Sequence, residues 1–219
     1  MAATNSPFGQ VQAFRMRLCK LDTNGVPTPA AGKMYVTSSL VLATFTPSYI
    51  DGTEIRDVNG EGVVCVEYTG DDSFLGYDVS IQVCTPDPYI MDFLGGCAIL
   101  TPANGILGWA APSTGPTAPT PVSVELWSKR VDEGALASDG YPYYWTVAPR
   151  LRKLRLGPLN YGNQSNQPTF EAVARENPNW YNGPLNDWAQ ASDRALQQIA
   201  CAETRVPAAS TNLSAIVAS

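Results

Sequence analysis

Carboxylates are the side chains left to carry acid–base chemistry near neutral pH, because the 219 residues include no histidine. This absence excludes Ser-His-Asp and Cys-His nucleophile arrangements and removes the commonest zinc and haem ligand. Paired carboxylates could act as the acid and nucleophile of a glycoside hydrolase, and the candidates are Glu67, Asp71, Asp72 and Asp92. Asp71 and Asp72 directly follow Gly70, which is typical of a turn. We therefore expect no enzymatic activity and no catalytic residues.

Metal and cofactor motifs are missing from the sequence. The five cysteines are scattered and never form a C-x-x-C pair: Cys19, Cys65, Cys84, Cys97 and Cys201. Most have apolar neighbours, as small buried thiols in a reducing compartment do. The Asp-Gly and Asn-Gly pairs do not fit a calcium loop, and no Gly-rich phosphate loop is present. We expect no metal and no cofactor.

Charge is scarce and segregated along the chain. Only 16% of the residues are charged, against about 25% in typical soluble domains. Residues 1–49 carry four bases and one acid (+3), residues 50–100 carry one base and ten acids (−9), and residues 101–219 carry nine of each. An acidic middle third is a poor grip for nucleic acid and would repel DNA. Ordinary solvating charge on strand faces and turns is the simpler interpretation.

No targeting or membrane segment is evident. The first ten residues are polar, and no apolar stretch approaches the ~18 residues that a membrane span needs. We therefore expect no membrane span and assembly in a cytoplasm.

Alternating polar and apolar residues predict strands through most of the chain. Extended patterns cover residues 14–21, 34–37, 40–46, 63–68, 76–84, 122–127 and 143–147. Pro47 is expected to end the third of these. In residues 76–84, Tyr77, Val79, Ile81 and Val83 share one face, and Asp78, Ser80 and Gln82 share the other.

One segment carries consistent helix signals. Asp87 can cap the N-terminus, Pro88 suits the first helical position, and Gly95 can adopt the left-handed conformation at the C-terminus. A second short helix is predicted over 189–201. Residues 101–121 and 157–188 resemble long loops, and the tail from 207 to 219 is expected to be flexible or docked on a partner.

These elements predict a mostly β fold: an antiparallel β-sandwich or split barrel with one short packed helix and long loops. Residues 1–206 are expected to form a single domain, with the loops 101–121 and 157–188 as insertions.

Two residue groups could form contacts with a partner. The aromatic residues Trp180, Tyr181 and Trp188 could stack on a sugar or lie in a protein interface, where Tyr, Trp and Arg are enriched. The only basic cluster is Arg150, Arg152, Lys153 and Arg155. It would suit a solvated strand face, or it could pair with the acidic middle third of a neighbouring subunit.

Three stretches carry a likeness to a known family. The first comprises Val63-Val64-Cys65-Val66, residues 76–81, and Cys84-Thr85-Pro86-Asp87-Pro88 with its helix and Gly95-Gly96. The second is Glu125-Leu126-Trp127-Ser128 followed by residues 140–145 and Pro149-Arg150. The third is Asn177-Pro178-Asn179-Trp180 with residues 183–188. Over about residues 50–200, the chain resembles the tail tube proteins of long-tailed, non-contractile bacteriophages.

The resemblance implies a subunit of hexameric rings that stack into a tube through which the genome travels. Its partners would be further copies of itself and other tail proteins, and DNA would pass without specific binding. The localisation would be the virion tail. The resemblance and the charge balance make Glu67, Asp78, Ser80 and Gln82 candidates to face the lumen, and make Arg150, Arg152, Lys153, Arg155, Trp180, Tyr181 and Trp188 candidates for contacts between subunits.

Two alternatives remain open from the sequence. One is another tail or neck ring protein, such as a terminator, connector or baseplate hub. The other is a carbohydrate-binding or host-adsorption module with its sugar platform between Trp180 and Trp188.

Overall fold

The computed structural model describes residues 8–30, 32–101, 105–112, 120–132, 135–136, 143–160, 162–163, 166–180, 183–184 and 200–204. Within these residues it contains thirteen strands and one helix. The strands are β1 (Phe8–Lys20), β2 (Met34–Thr37), β3 (Leu40–Ile50), β4 (Glu54–Val58), β5 (Val64–Thr69), β6 (Ser73–Val83), β7 (Ala98–Leu100), β8 (Gly108–Ala110), β9 (Val122–Asp132), β10 (Ala135–Leu136), β11 (Tyr143–Leu156), β12 (Thr169–Ala174) and β13 (Ala200–Thr204), and the helix is α1 (Pro88–Gly95).

One large antiparallel sheet dominates the fold. Its strand order is β2-β1-β9-β11-β12-β6-β3, with β10 paired to β9 and β13 paired to β11. Two separate hairpins, β4-β5 and β7-β8, complete the strand inventory of the described chain. The mostly β, antiparallel, sandwich-like fold with one short helix is therefore confirmed.

The hydrophobic core lies on one face of this sheet. Inward side chains come from six of its strands, and α1 lays Ile90, Met91, Phe93 and Leu94 against them. The sheet curls, so that β3 returns to within contact of β1. A curled sheet wrapped around one short helix encloses more apolar surface than a flat sheet of the same length, which is why two helical turns suffice.

Side-chain caps fix α1 in place. Asp87 adopts the extended N-cap conformation, and its Oδ1 accepts a hydrogen bond from the Tyr89 amide at 2.8 Å. Its Oδ2 accepts another from the Tyr35 hydroxyl at 2.7 Å. The left-handed residue at the C-terminus is Gly96, with φ 65°, whereas Gly95 is the last helical residue. The left-handed glycine that ends the helix is therefore Gly96, one residue later than the predicted Gly95.

Pro47 lies inside β3 and does not end it, contrary to the sequence prediction. The strand continues to Ile50, and Pro47 pairs with Tyr77 of β6. Because β3 is an edge strand of the large sheet, its outward groups need no partner strand, and an edge is where proline is tolerated.

The second predicted loop also contains regular structure. Within residues 157–188, Thr169–Ala174 forms β12, which lies between β11 and β6 in the sheet. The prediction failed because β12 is only six residues long and is flanked by Asn- and Pro-rich segments. Within the first predicted loop, 101–121, the hairpin strand β8 is formed.

The far C-terminal predictions fall mostly outside the described residues. Of the predicted helix 189–201, only Ala200 and Cys201 are described, and both lie in β13. The tail from 207 to 219 lies outside the described part of the chain.

A buried ion pair stands on the sheet face opposite the core. Arg17 of β1 and Glu125 of β9 are both fully buried and form a two-point contact, with Nε to Oε1 at 2.8 Å and Nη2 to Oε2 at 2.5 Å. The rings of Trp127 and Trp145 stack with centroids 5.5 Å apart, and the Arg17 guanidinium lies 5.2 and 5.9 Å from them. The paired carboxylate and the aromatic faces compensate the charge of the desolvated guanidinium.

Asn177 clamps the turn between β1 and β2. Its buried amide nitrogen donates to the carbonyl of Gly25 at 2.8 Å and to that of Pro149 at 3.1 Å. Gly25 has φ 88°, and an added Cβ there would lie 2.7 Å from Asn177 Oδ1. The neighbouring Asn179 donates to the Asn24 carbonyl at 2.7 Å. The Asn177-Pro-Asn-Trp motif therefore holds the subunit together internally.

We predict that Glu125→Gln destabilises the subunit by about 3–5 kcal/mol, because it leaves the Arg17 cation buried without its counter-charge. Urea unfolding followed by far-UV circular dichroism measures the change. The double variant Arg17→Met/Glu125→Leu should lose less free energy of unfolding than Glu125→Gln, since it removes both buried charges. A Glu125→Gln midpoint equal to wild type would contradict the role of the pair.

We predict that Asn177→Ala lowers the free energy of unfolding by about 1–3 kcal/mol, because the carbonyls of Gly25 and Pro149 lose their buried hydrogen-bond donor. The same unfolding assay measures it. Asn179→Ala is the matched control, since Asn179 makes a hydrogen bond at an exposed site and its loss should cost less. Equal effects of the two substitutions would argue against the clamp.

Candidate functional site

The exposed apolar surface is concentrated on β3 and on two hairpins. In the described residues, the strongly exposed large apolar side chains fall within segments 41–75 and 100–107, without exception. The first segment contributes Val41, Leu42, Tyr49, Ile50, Ile55, Val58, Val63, Val64, Val66, Tyr68, Phe74 and Leu75. Single exposed apolar residues are ordinary, but such a concentration marks a surface that binds something.

We call residues 49–75 the arm. It continues the β3-β6 pair outward past the sheet, through Tyr49 paired with Phe74, and ends in the β4-β5 hairpin. Every side chain of β4 and β5 is exposed. At about 3.4 Å per residue, the arm extends roughly 30 Å from its base to its tip. Isolated two-stranded hairpins are only marginally stable in water, so contact with a partner would stabilise this one.

Local hydrogen bonds shape the tip of the arm. The Asn59 side-chain oxygen accepts from the amides of Glu61 at 3.0 Å and Val63 at 2.9 Å. Gly62 takes φ 81°, a left-handed conformation that glycine adopts without strain. These bonds satisfy the turn backbone within the arm and leave the side chains free for contacts.

The two strands of the arm cross closely at a pair of glycines. A Cβ on Gly52 would lie only 1.9 Å from the carbonyl oxygen of Gly70. The Gly70 amide donates to the Thr53 carbonyl at 3.0 Å, and the Gly52 amide donates to Asp72 Oδ1 at 2.9 Å. The β4-β5 hairpin, which we call the outer hairpin, is thus attached to the rest of the arm through a tight crossing of the two strands.

The outer hairpin has an apolar face and a charged face. Cross-strand partners share a face, so Ile55 with Tyr68 and Asp57 with Val66 form one side. Glu54 with Thr69 and Arg56 with Glu67 form the other side. The hairpin can therefore bury an apolar surface and place charges at the edge of the contact.

A second hairpin repeats this exposure on a smaller scale. It consists of β7 and β8, and its exposed apolar residues are Leu100, Ile106 and Leu107, the last 77% exposed. This hairpin follows α1 in the chain and lies in contact with it, and it pairs with no strand of the large sheet.

The outer face of the large sheet carries two of the predicted groups together. Val79, Ile81 and Val83 are buried while Asp78, Ser80 and Gln82 point away from the core, as the alternation predicted. Across β12, cations of β11 occupy the same face: Arg152, Lys153 and Arg155. The candidates for the lumen and the candidates for subunit contacts therefore lie side by side.

Glu67 is separate from this face. It belongs to the outer hairpin of the arm, where it pairs with Arg56, and not to the large sheet that carries Asp78. The sequence analysis groups these two residues as candidates to face the lumen, but the structure places them on different sheets.

A strained bulge in β11 shapes a basic groove. The register with β12 shifts between Arg152 and Arg155, and Lys153 takes φ 55°, the only positive value among the described non-glycine residues. The bulge exposes two consecutive cations, Arg152 and Lys153. Together with Arg175 they line an open groove of about 720 Å³, which also includes Thr23, Thr120 and Val173.

The remaining predicted contact residues are distributed differently. Trp180 is buried within the subunit at 2% exposure, so its ring does not offer a platform. Arg150 is half-buried, and its carbonyl accepts from the Arg175 amide at 2.8 Å. Tyr181 and Trp188 lie outside the described residues.

No metal or membrane site emerges from the described chain. Within it, no group of three or more Cys, Asp or Glu side chains could hold a metal ion, and no helix is long and apolar enough to cross a membrane.

Comparisons with known proteins do not assign the chain to a family. No protein-family model matches it, and no curated protein matches it significantly.

Cys65 on the arm is a free thiol whose reactivity can report whether the arm becomes buried. Cys65 is exposed on β5, whereas Cys19 and Cys97 are buried. Burial raises the pKa of the Cys19 thiol to about 12 and also raises the pKa of Cys97, which keeps both thiols protonated and poorly nucleophilic.

We predict that a maleimide at pH 8 labels Cys65 of the free subunit well before Cys19 and Cys97, and that self-association slows labelling of Cys65. Peptide mass spectrometry localises the label, and the half-buried Cys84 is the internal reference. Unchanged labelling of Cys65 in an assembled sample would show that this part of the arm stays in solvent.

Proposed function

We propose that this protein is a non-enzymatic virion structural protein, a subunit of a phage tail tube whose rings stack around a channel for the genome. Its partners are further copies of itself and other tail proteins, and its location is the virion tail after assembly in the host cytoplasm. The proposal joins the sequence resemblance to the surface properties of the subunit.

The arm is the observation that carries the proposal. A hairpin about 30 Å long, with an apolar face formed by Ile55, Val66 and Tyr68, is stable and soluble only if that face is covered. A subunit that contacts its neighbours in a repeating assembly would cover this face.

The charge arrangement bears on the orientation of the sheet. Of the ten acids in residues 50–100, seven lie between Asp51 and Asp72, within the arm. The sheet face with Asp78, Ser80 and Gln82 also presents Arg152, Lys153 and Arg155, which would retain phosphates in a channel. We therefore place the β11 part of this face in subunit contacts and expect DNA to pass without specific binding.

The structure is compatible with one of the two alternative functions and disfavours the other. A terminator, connector or baseplate hub would also need an arm of this kind, so it remains the nearest alternative. A carbohydrate-binding module is disfavoured, because Trp180 of its predicted sugar platform is buried, Trp127 and Trp145 are buried as well, and Trp109 is half-buried against the core.

We predict that the purified protein forms rings or tubes of uniform diameter with a central hole. Size-exclusion chromatography with light scattering gives the mass, and negative-stain electron microscopy gives the shape. Ile55→Ser/Tyr68→Ser should weaken assembly strongly while leaving the fold intact, because both side chains are already exposed in the subunit.

Thr44→Ala, at an exposed position of β3 away from the arm, is the matched control and should assemble like wild type. A protein that stays monomeric at high concentration and binds an array of glycans would overturn the proposal in favour of the adsorption module.

A further inference from the structure

The arm and the basic groove have opposite charge. Residues 51–72 carry seven carboxylates against the single base Arg56, a net charge of −6. The groove presents Arg152, Lys153 and Arg175. Complementary potentials of this size steer association and set which surfaces meet.

The groove cations have no carboxylate partner in the described part of the subunit. None of the three forms an ion pair there. Asp22 also lines the groove and accepts hydrogen bonds from the amides of Asn24 and Val26 at 2.8 Å, and Asp78 and Glu171 line the neighbouring pocket together with Lys153. Three cations around one concavity repel each other, so a bound anionic surface would stabilise them.

The backbone at the groove supports a binding role. Lys153 is held in a left-handed conformation that costs a non-glycine residue of this kind free energy, and such conformations cluster at binding sites. Here the conformation has a visible result, because the bulge turns both Arg152 and Lys153 toward solvent.

The groove lies at the base of the subunit's own arm. Arg175, which lines it, donates from Nη1 to the carbonyl of Leu75 at 2.6 Å, and Leu75 belongs to the first residues of β6 where the arm joins the sheet. No residue of the outer hairpin lines the groove of its own chain.

We propose that the outer hairpin of one copy docks in the basic groove of a second copy, with Glu54 and Glu67 of the charged face meeting Arg152 and Lys153. Donor and acceptor are different surfaces of the same chain, so the contact is heterologous and head-to-tail. Such a contact propagates and closes into a ring or continues along an axis. This inference rests on the self-assembly in the proposed function, but it does not depend on the assembly being a tail tube.

Charge reversal on each side tests the contact. The arm variant Glu54→Lys/Glu67→Lys and the groove variant Arg152→Glu/Lys153→Glu should each raise the concentration needed for assembly by about tenfold or more. Mixed in equal amounts, they should assemble again, because the reversed charges at positions 54 and 67 then face the reversed charges at positions 152 and 153. Light scattering and native mass spectrometry measure both effects.

Matched controls use exposed charges outside the two surfaces. Lys33→Glu and Glu176→Lys should leave assembly unchanged, and circular dichroism checks that all variants are folded. Recovery in the mixture excludes simple misfolding as the cause of loss.

Two results would overturn the inference. One is that the mixture assembles no better than either variant alone. The other is that the groove variant assembles normally; if it also loses binding to a fluorescent DNA oligonucleotide, the groove is assigned to nucleic acid. Tubes that form without this charge dependence would leave the proposed function standing and reject only this contact.

Discussion

The paired strands β3 and β6 are longer than the core they cover, and much of the protein's behaviour depends on this mismatch. Their inner halves carry Val79, Ile81 and Val83 into the core, while their outer halves leave the sheet as the arm. Beyond Tyr49 no other layer of the described subunit lies against them. Burial, the main stabilising force in a fold, can therefore be completed there only by another molecule.

In the interior, several buried polar side chains find their partners within the chain. Glu125 satisfies Arg17, Asp87 caps α1 and accepts from Tyr35, and Asn177 holds the turn at Gly25. This arrangement gives a rigid body from which the arm projects. A rigid body with one incomplete surface is suited to assembly, because little order has to be created when the partner arrives.

Acidic and basic side chains are also separated in relation to the arm. The acids concentrate on the element that leaves the subunit, and the unpaired cations of β11 lie at the base of that element. In the assembly that we propose, this separation of charge would favour one orientation of neighbouring copies over others.

Local pattern in the sequence determined much of the fold. Period-two alternation placed most strands and the exposed face of Asp78, Ser80 and Gln82, and Asp87-Pro88 placed the start of α1, because these signals depend on neighbouring residues alone. Tertiary structure decided what local pattern cannot encode. The edge position of β3 permits Pro47, neighbouring strands recruit the short β12, burial withdraws Trp180 from the surface, and the absence of a covering layer turns residues 49–75 from ordinary strands into an arm.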